Sequence, residues 1–387
     1  MAIRRAFALL SLPVLVSVGG TSGAAPAEKR AVAAHPASPA EIVAQAPAAH
    51  WRAIPARDLL VMELPALTPT VTLAALPVED TGAAAEAALP DNAPSEPSAI
   101  PMEGDDPEPA RLPPRRIVIQ LITPPYSQGW VANIRALAAA HWWDGLAIVR
   151  AQDNYVVQWG DPFAADGALA RALPAGLQKM PSEDYAAGKA GGCGQFAEIC
   201  PPAPLSFITS DTIRDVYADR AGFVAGWPVA VTGARTWPVH CYGTVGVGRD
   251  VTPDTGSGAE LYAVIGHAPR QLDRNIAVVG RVIEGMEHLS TLPRGTGELG
   301  FYETTEERTP ILSIRSGEEV EGLAQYEYLA SASDSFARYM KARANRQDDF
   351  YAIPAGAVDV CNVQVPIRKA AQPAPEAENT GKRRRRR

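Results

Sequence analysis

Short apolar runs set off by Gly, Pro and Asp, with one long amphipathic pattern among them, limit what this chain can build. The runs are 59–64, 116–121, 146–150, 155–159, 242–248, 260–265, 276–282 and 311–314. Each has strand length and is bounded by turn residues. So many short strands with few helical segments between them point to a β-barrel or sandwich and away from a doubly wound sheet. The amphipathic pattern is 130–140, where Trp130, Ile134 and Leu137 fall on one helical face. A second, shorter helix is expected at 284–292. Residues 326–346 are expected to add a helix, 358–365 a last strand, and 211–217 have a modest helical look.

Other stretches carry too little apolar surface to build a core. Residues 25–50 are rich in Ala and Pro, and 67–112 in Ala, Pro, Asp and Glu. Ordering such segments costs more entropy than their burial returns, so both are expected to be disordered. Loop-closure entropy grows slowly with length, so the runs 59–64 and 116–121 can still pair as a hairpin around the second stretch. The alternative is that both are linker and the domain starts at Arg115. Residues 163–238 read as a loop-rich insertion. The expected organisation is a signal peptide over 1–24, a linker over 25–50 and a domain over 51–315. An extension over 316–368 packs on the domain, and a basic tail fills 369–387.

The first residues have the pattern of an export signal. Arg4 and Arg5 precede an apolar run, and Ser22-Gly23-Ala24 offers small residues for cleavage after Ala24. An uncleaved anchor is the alternative. The expected location is the periplasm or the exterior, where Cys193, Cys200, Cys241 and Cys361 can pair as disulfides. Four cysteines allow three connectivities, and the sequence leaves them open. Pairing Cys193 with Cys200 closes a small Gly-rich loop, and pairing Cys241 with Cys361 ties the C-terminal segment to the core. No CxxC or histidine at ligand spacing supports a metal site. The net charge of −7 argues against a nucleic-acid-binding body. The basic residues Lys382 to Arg387 can meet an anionic surface, or be a solvated terminus.

Function is legible in WWDGLAIVRAQDNYVVQWGDP at 142–162 and GSGAELYAVIGHAPRQLDRNIAVVGRVIEGM at 256–286. The first resembles the central signature of the cyclophilins, in which an aromatic-aromatic-Asp-Gly turn leads to Phe-His-Arg, an aromatic, an apolar residue, Gln and Gly-Gly-Asp-Pro. The second resembles that family's Ser-Gln-Phe-Phe, Leu-Asp and Val-Phe-Gly-Arg-Val run. The likeness covers most of 51–315, and 163–238 is a family-atypical insertion. It implies a mainly β fold: a closed eight-stranded antiparallel cyclophilin-like barrel with two capping helices, carrying the disordered insertions. It implies peptidyl-prolyl cis-trans isomerase activity with Arg150 and Gln158 as catalytic residues. Tyr155, Val156, Tyr262 and Leu272 then form the proline socket, with Glu260 and Gly248 on the substrate-binding rim.

This chemistry needs no cofactor or metal. Prolyl isomerisation is slow because amide resonance must be broken, a barrier of roughly 18–20 kcal/mol. What lowers it is a socket for the ring, a group holding the neighbouring carbonyl, and a donor for the lone pair on the twisted prolyl nitrogen. An arginine suits the last role, because it stays charged and presents several N–H groups. The expected partners are proline-containing segments of unfolded or exported proteins, met by a monomer. A catalytically weak proline-peptide-binding chaperone or envelope scaffold is the alternative. The departures from the family pattern bear on it: Ile148 and Val149 replace Phe-His, Trp159 a Gly, and Glu260 a Gln. Gly248, Arg249, Gln271 and Ile276 also differ, and together these changes are expected to alter the pocket rim.

Overall fold

The computed structural model describes residues 36–67, 112–188, 207–348 and 350–371. Its main sheet has eight strands: β1 (Leu59–Leu64), β2 (Arg115–Leu121), β3 (Ala147–Ala151), β4 (Val156–Gly160), β5 (Thr244–Val247), β6 (Leu261–Val264), β7 (Val278–Glu284) and β8 (Ser313–Ser316). The order is β8-β1-β2-β7-β5-β6-β4-β3, and every pair is antiparallel. The sheet curls, and the chain entering β8 links its two edges. Ile311 N donates to Leu146 O, Gly145 N to Ile311 O and Ile148 N to Thr309 O, at 2.8–2.9 Å. This link is a short bridge and not a full strand ladder.

The hairpin across the long insertion forms, with Leu59 opposite Gln120 and Leu64 opposite Arg115. Strand alternation explains the core. Leu60, Met62 and Leu64 of β1 and Ile117, Ile119 and Leu121 of β2 point inward, where the helix α1 (Gln128–Ala139) adds Trp130, Ile134 and Leu137. Leu59 and Val118 point the other way. They are buried nonetheless, against Ile54 and Tyr326 of an accessory three-stranded sheet built from Trp51–Ile54, Tyr326–Leu329 and Ile367–Lys369. Both faces of β1 and β2 are therefore covered, which is why these strands read as continuous apolar runs.

Several sequence expectations are corrected. Residues 36–50, expected to be disordered linker, include the helix Pro39–Ala44 and a short turn Ala48–His50. Ser38 and Glu41 cap that helix reciprocally, and Ile42 is its buried residue. One anchor in an Ala/Pro background gives no periodicity to read. The 163–238 insertion is more regular than a loop: Phe207–Ile208, Arg220–Val224, Trp227–Thr232 and Arg235–Pro238 make a four-stranded antiparallel sheet. Residues 211–217 are not helical, and Ile213–Arg214 pairs instead with Val358–Asp359. The second helix, α2, is only Met286–Ser290, because β7 runs through Glu284. The helix expected within 326–346 is Asp334–Ala344, preceded by the strand Tyr326–Leu329. The strand expected over 358–365 is confined to Val358–Asp359. Residues 1–35, 68–111 and 372–387, with Cys193 and Cys200, lie outside the described residues.

A second apolar cluster joins the insertion to both flanks. It includes Ile42, Trp51, Phe223, Trp237, Phe336, Tyr339 and Val360. Phe223 of the insertion meets Phe336 of the C-terminal helix edge-on, with centroids 4.9 Å apart. Cys241 and Cys361 close a disulfide across this region, 120 residues apart in sequence. A loop of that length loses substantial denatured-state entropy on crosslinking. Replacing both cysteines by serine should lower stability by about 3–5 kcal/mol, read from urea unfolding under non-reducing conditions. A loss below ~1 kcal/mol would show that the crosslink contributes little.

Candidate active site

Register assembles the site. Arg150 of β3 stands opposite Gln158 of β4, Gln158 opposite Tyr262 of β6, and Tyr262 opposite Gly246 of β5. Directly opposed residues project from the same face, so four strands present one row on the outer surface of the sheet. Gly246 leaves its place in the row empty, and a Cβ there would collide with the Tyr262 phenol. Val156 and Val264, two residues along from Gln158 and Tyr262, are opposed to each other and join the same face. Val156, Tyr262 and Val264 form a small apolar cluster with Tyr155, Leu272 and Ile276 packed against it. The first three are buried; the other three are half-buried and open to solvent. All four expected socket residues are thus brought together, and Val264 and Ile276 are added to them.

Arg150 is held from three sides. Its Nε donates to Leu299 O at 2.7 Å, Nη1 to Gln158 Oε1 at 3.3 Å, and Nη2 to Gln152 Oε1. The guanidinium lies between the Tyr155 and Phe301 rings, 5.5 and 5.0 Å from their centroids. Burial pulls its pKa below the ordinary arginine value, with Tyr155 opposing. It stays a cation at neutral pH, because arginine starts above about 12. Five N–H groups against three bonds leave donors over for a ligand.

Gln158 is oriented by a second contact. Its Nε2 donates to Glu260 Oε2 at 2.9 Å, which turns Oε1 toward Arg150. Gly248 makes room for this: a Cβ there would stand 2.8–2.9 Å from the Glu260 side chain and 3.3 Å from Gln158 Nε2. Its amide also donates to Glu260 O at 2.9 Å. Gly248 and Glu260 therefore belong to the rim beside the socket and not to its apolar wall. Burial raises the Glu260 pKa, Asp161 and Asp254 raise it further, and the Gln158 hydrogen bond opposes.

The altered residues divide by direction. Ile148 and Trp159 are fully buried in the barrel core, on the inward side of β3 and β4. They do not touch the rim, contrary to the sequence reading. Ile276 and Glu260 do. Arg249 ties two rim loops together through its Nε to Asn275 O at 3.0 Å. A cleft of about 570 Å³ flanks these loops, lined by Tyr185 and Arg235 of the insertion and by Arg249, Asp254, Arg274 and Asn275.

Sequence reasoning missed Val264, Phe301, Leu299 and His240. Val264 was within reach, being two residues from Tyr262 on the same strand face. Phe301 and Leu299 lie about 150 residues from Arg150 in sequence, and no local pattern marks them. His240 Nε2 is 2.8 Å from the Tyr262 hydroxyl.

The model of the family described as cyclophilin type peptidyl-prolyl cis-trans isomerase/CLD matches residues 116–316, more than half of the 387-residue chain. The crystal structure of the cyclophilin AquaCyp293 from Hirschia baltica is similar at TM-score 0.51 and 15% identity, over 82% of this chain and 92% of that one. A Cryptosporidium parvum cyclophilin type peptidyl-prolyl cis-trans isomerase, crystallised in the presence of the dipeptide Ala-Pro, reaches TM-score 0.28 at 11% identity. That match covers 52% of this chain and 92% of that one, too distant a likeness to bear on the site. No curated protein sequence matches the chain.

The raised Glu260 pKa fixes a sign. Folded Glu260 keeps its proton to higher pH than in the unfolded chain, so stability is lost as pH rises from the ordinary carboxylate range through the raised value. Glu260→Gln removes this loss. Urea midpoints measured from about pH 4 to pH 7 should show the variant gaining on the wild type as pH rises. A difference that does not change with pH would count against the assignment.

Proposed function

Because the chain belongs to the cyclophilin-type peptidyl-prolyl cis-trans isomerase family, we propose that it isomerises Xaa-Pro bonds in exported proteins, with Arg150 as the donor to the prolyl nitrogen. The observation that carries this reading is the row Arg150, Gln158, Tyr262 beside the apolar cluster. A proline ring fits against Val156, Tyr262, Leu272 and Ile276. Gln158 then holds the carbonyl that precedes the proline, through an amide N–H. As the peptide plane twists, the prolyl nitrogen loses conjugation and gains a lone pair. A guanidinium N–H aimed at that lone pair binds the twisted state more strongly than either planar state, which is the condition for acceleration.

Export is supported by the basic and apolar pattern of the first residues and by the Cys241–Cys361 disulfide, which suits an oxidising compartment. The clients are then proline-containing segments of proteins folding outside the cytoplasm. A second reading has one observation in its favour. Glu260 places a carboxylate on the rim and Ile276 leaves an apolar side chain there, so the groove can grip proline segments with little turnover, as a chaperone or scaffold module would.

Isomerisation rates of short Xaa-Pro peptides separate the two. The wild type should accelerate exchange, and Arg150→Ala should lower kcat/KM by about 10²–10³-fold while still binding the peptide. Binding without acceleration in the wild type would assign the chain to the binding-module reading and remove Arg150 from catalysis.

A further inference from the structure

Behind the socket runs a buried polar chain that the isomerisation itself does not require. Asp273 Oδ1 lies 2.9 Å from His240 Nδ1 and accepts the His240 backbone N–H at 3.0 Å. A carboxylate can only accept, so Nδ1 carries the proton, and Nε2 on the far side of the ring lies 2.8 Å from the Tyr262 hydroxyl. Arg270 Nε donates to Asp273 Oδ2 at 2.6 Å, and Arg270 Nη1 to Asp215 Oδ2 at 2.8 Å. His240 is wholly buried, and Arg270, Asp273 and the Asp215 side chain are each at most 4% exposed.

The chain touches both walls of the socket. Tyr262 is one wall. Leu272 is the other, and it sits in the single turn Arg270–Leu272, bracketed by Arg270 on one side and Asp273 on the other. Asn275 N and Ile276 N both donate to Leu272 O, so the same turn also sets Ile276. The far end, Asp215, belongs to the 163–238 insertion, and Tyr217 beside it lies under the Arg270 guanidinium, 5.0 Å from the ring centroid. Burial by itself raises the Asp273 pKa, but the His240 hydrogen bond and the Arg270 charge outweigh it and hold Asp273 below the usual aspartate value. In a site closed to water each partner is needed by the next, because a buried polar group left unmatched is penalised.

We propose that the insertion positions the proline socket: Asp215, Arg270, Asp273 and His240 are positioning residues that hold the Tyr262 ring and the Leu272 turn as one unit. A Phe in place of Tyr262 could not be held this way, having no hydroxyl to offer His240. The inference rests on the isomerase reading of the Arg150 site, and its test keeps the two apart.

Asp215→Asn removes the charge at the far end of the chain from the socket, and Tyr262→Phe removes the hydroxyl at the near end. With Xaa-Pro peptides as substrate, each should raise KM by roughly 3–10-fold and leave kcat within about twofold, as loss of uniform binding does. The double variant should be no worse than the poorer single, since both cut one unit. An unchanged KM in a folded variant, or two effects that multiply as independent sites do, would overturn the proposal. Melting curves establish folding; should Asp215→Asn fail to fold, the KM of Tyr262→Phe decides. If the wild type itself accelerates no peptide, the isomerase reading fails, and the same ratios are then read from the Kd for proline peptides.

Discussion

The strand register is the constraint on which everything else in this molecule depends. Side chains alternate with a period of two, so the apolar demand of the barrel core on Val157, Trp159, Leu261 and Ala263 also decides what faces outward. Their neighbours Val156, Gln158, Tyr262 and Val264 have no freedom left. A slip of one residue between β4 and β6 would bury Gln158 in the core and bring Trp159 to the surface. The core therefore aligns Gln158 with Tyr262, and the register shift between Ile148 and Arg150 brings Arg150 to the same face, where its own hydrogen bonds fix it.

An outer face that carries an apolar socket must be shielded elsewhere. Three segments share this work. The N-terminal helix, the sheet of the insertion and the C-terminal extension bury Trp51, Phe223, Trp237 and Phe336 in a second core, and the accessory sheet covers Leu59 and Val118. The disulfide joins the segment entering β5 to the extension, and so pins the cover to the barrel at the strand beside the site. Arg281 illustrates the same packing. Its guanidinium donates to Gln120 Oε1 of β2 and to Gly226 O of the insertion, and lies 4.4 Å from the centroid of the Trp227 ring. Burial brings its pKa down to about 10, still high enough to keep the charge at neutral pH.

Charge is spent differently on the two sides of the socket. On the Arg150 side, the cation keeps free donors, faces two aromatic rings and has Glu260 one residue removed, reached through Gln158. A cation neutralised by a direct carboxylate would have less to offer a developing lone pair, so the spacing through an amide preserves its reach. On the Tyr262 side, the charges of Arg270, Asp273 and Asp215 are closed on one another. All three side chains are at most 3% exposed.

How much of this was open to inspection beforehand follows from the range of each interaction. The eight strands, the helix α1, the pairing of 59–64 with 116–121 and the residues Arg150, Gln158, Tyr155, Val156, Tyr262 and Leu272 are written in alternation and in two contiguous motifs. Alternation is local, and a motif carries its spacing with it. The helix at Pro39–Ala44, the sheet within the insertion, the hydrogen bond that ties Glu260 to Gln158, and the partners Leu299, Phe301 and His240 were decided only in three dimensions. Each of these depends on segments from about twenty to about 150 residues apart, or on a single buried anchor in a bland background. No window on the chain holds both members of such a contact, because what brings them together is the curling of the sheet and the cover laid over it.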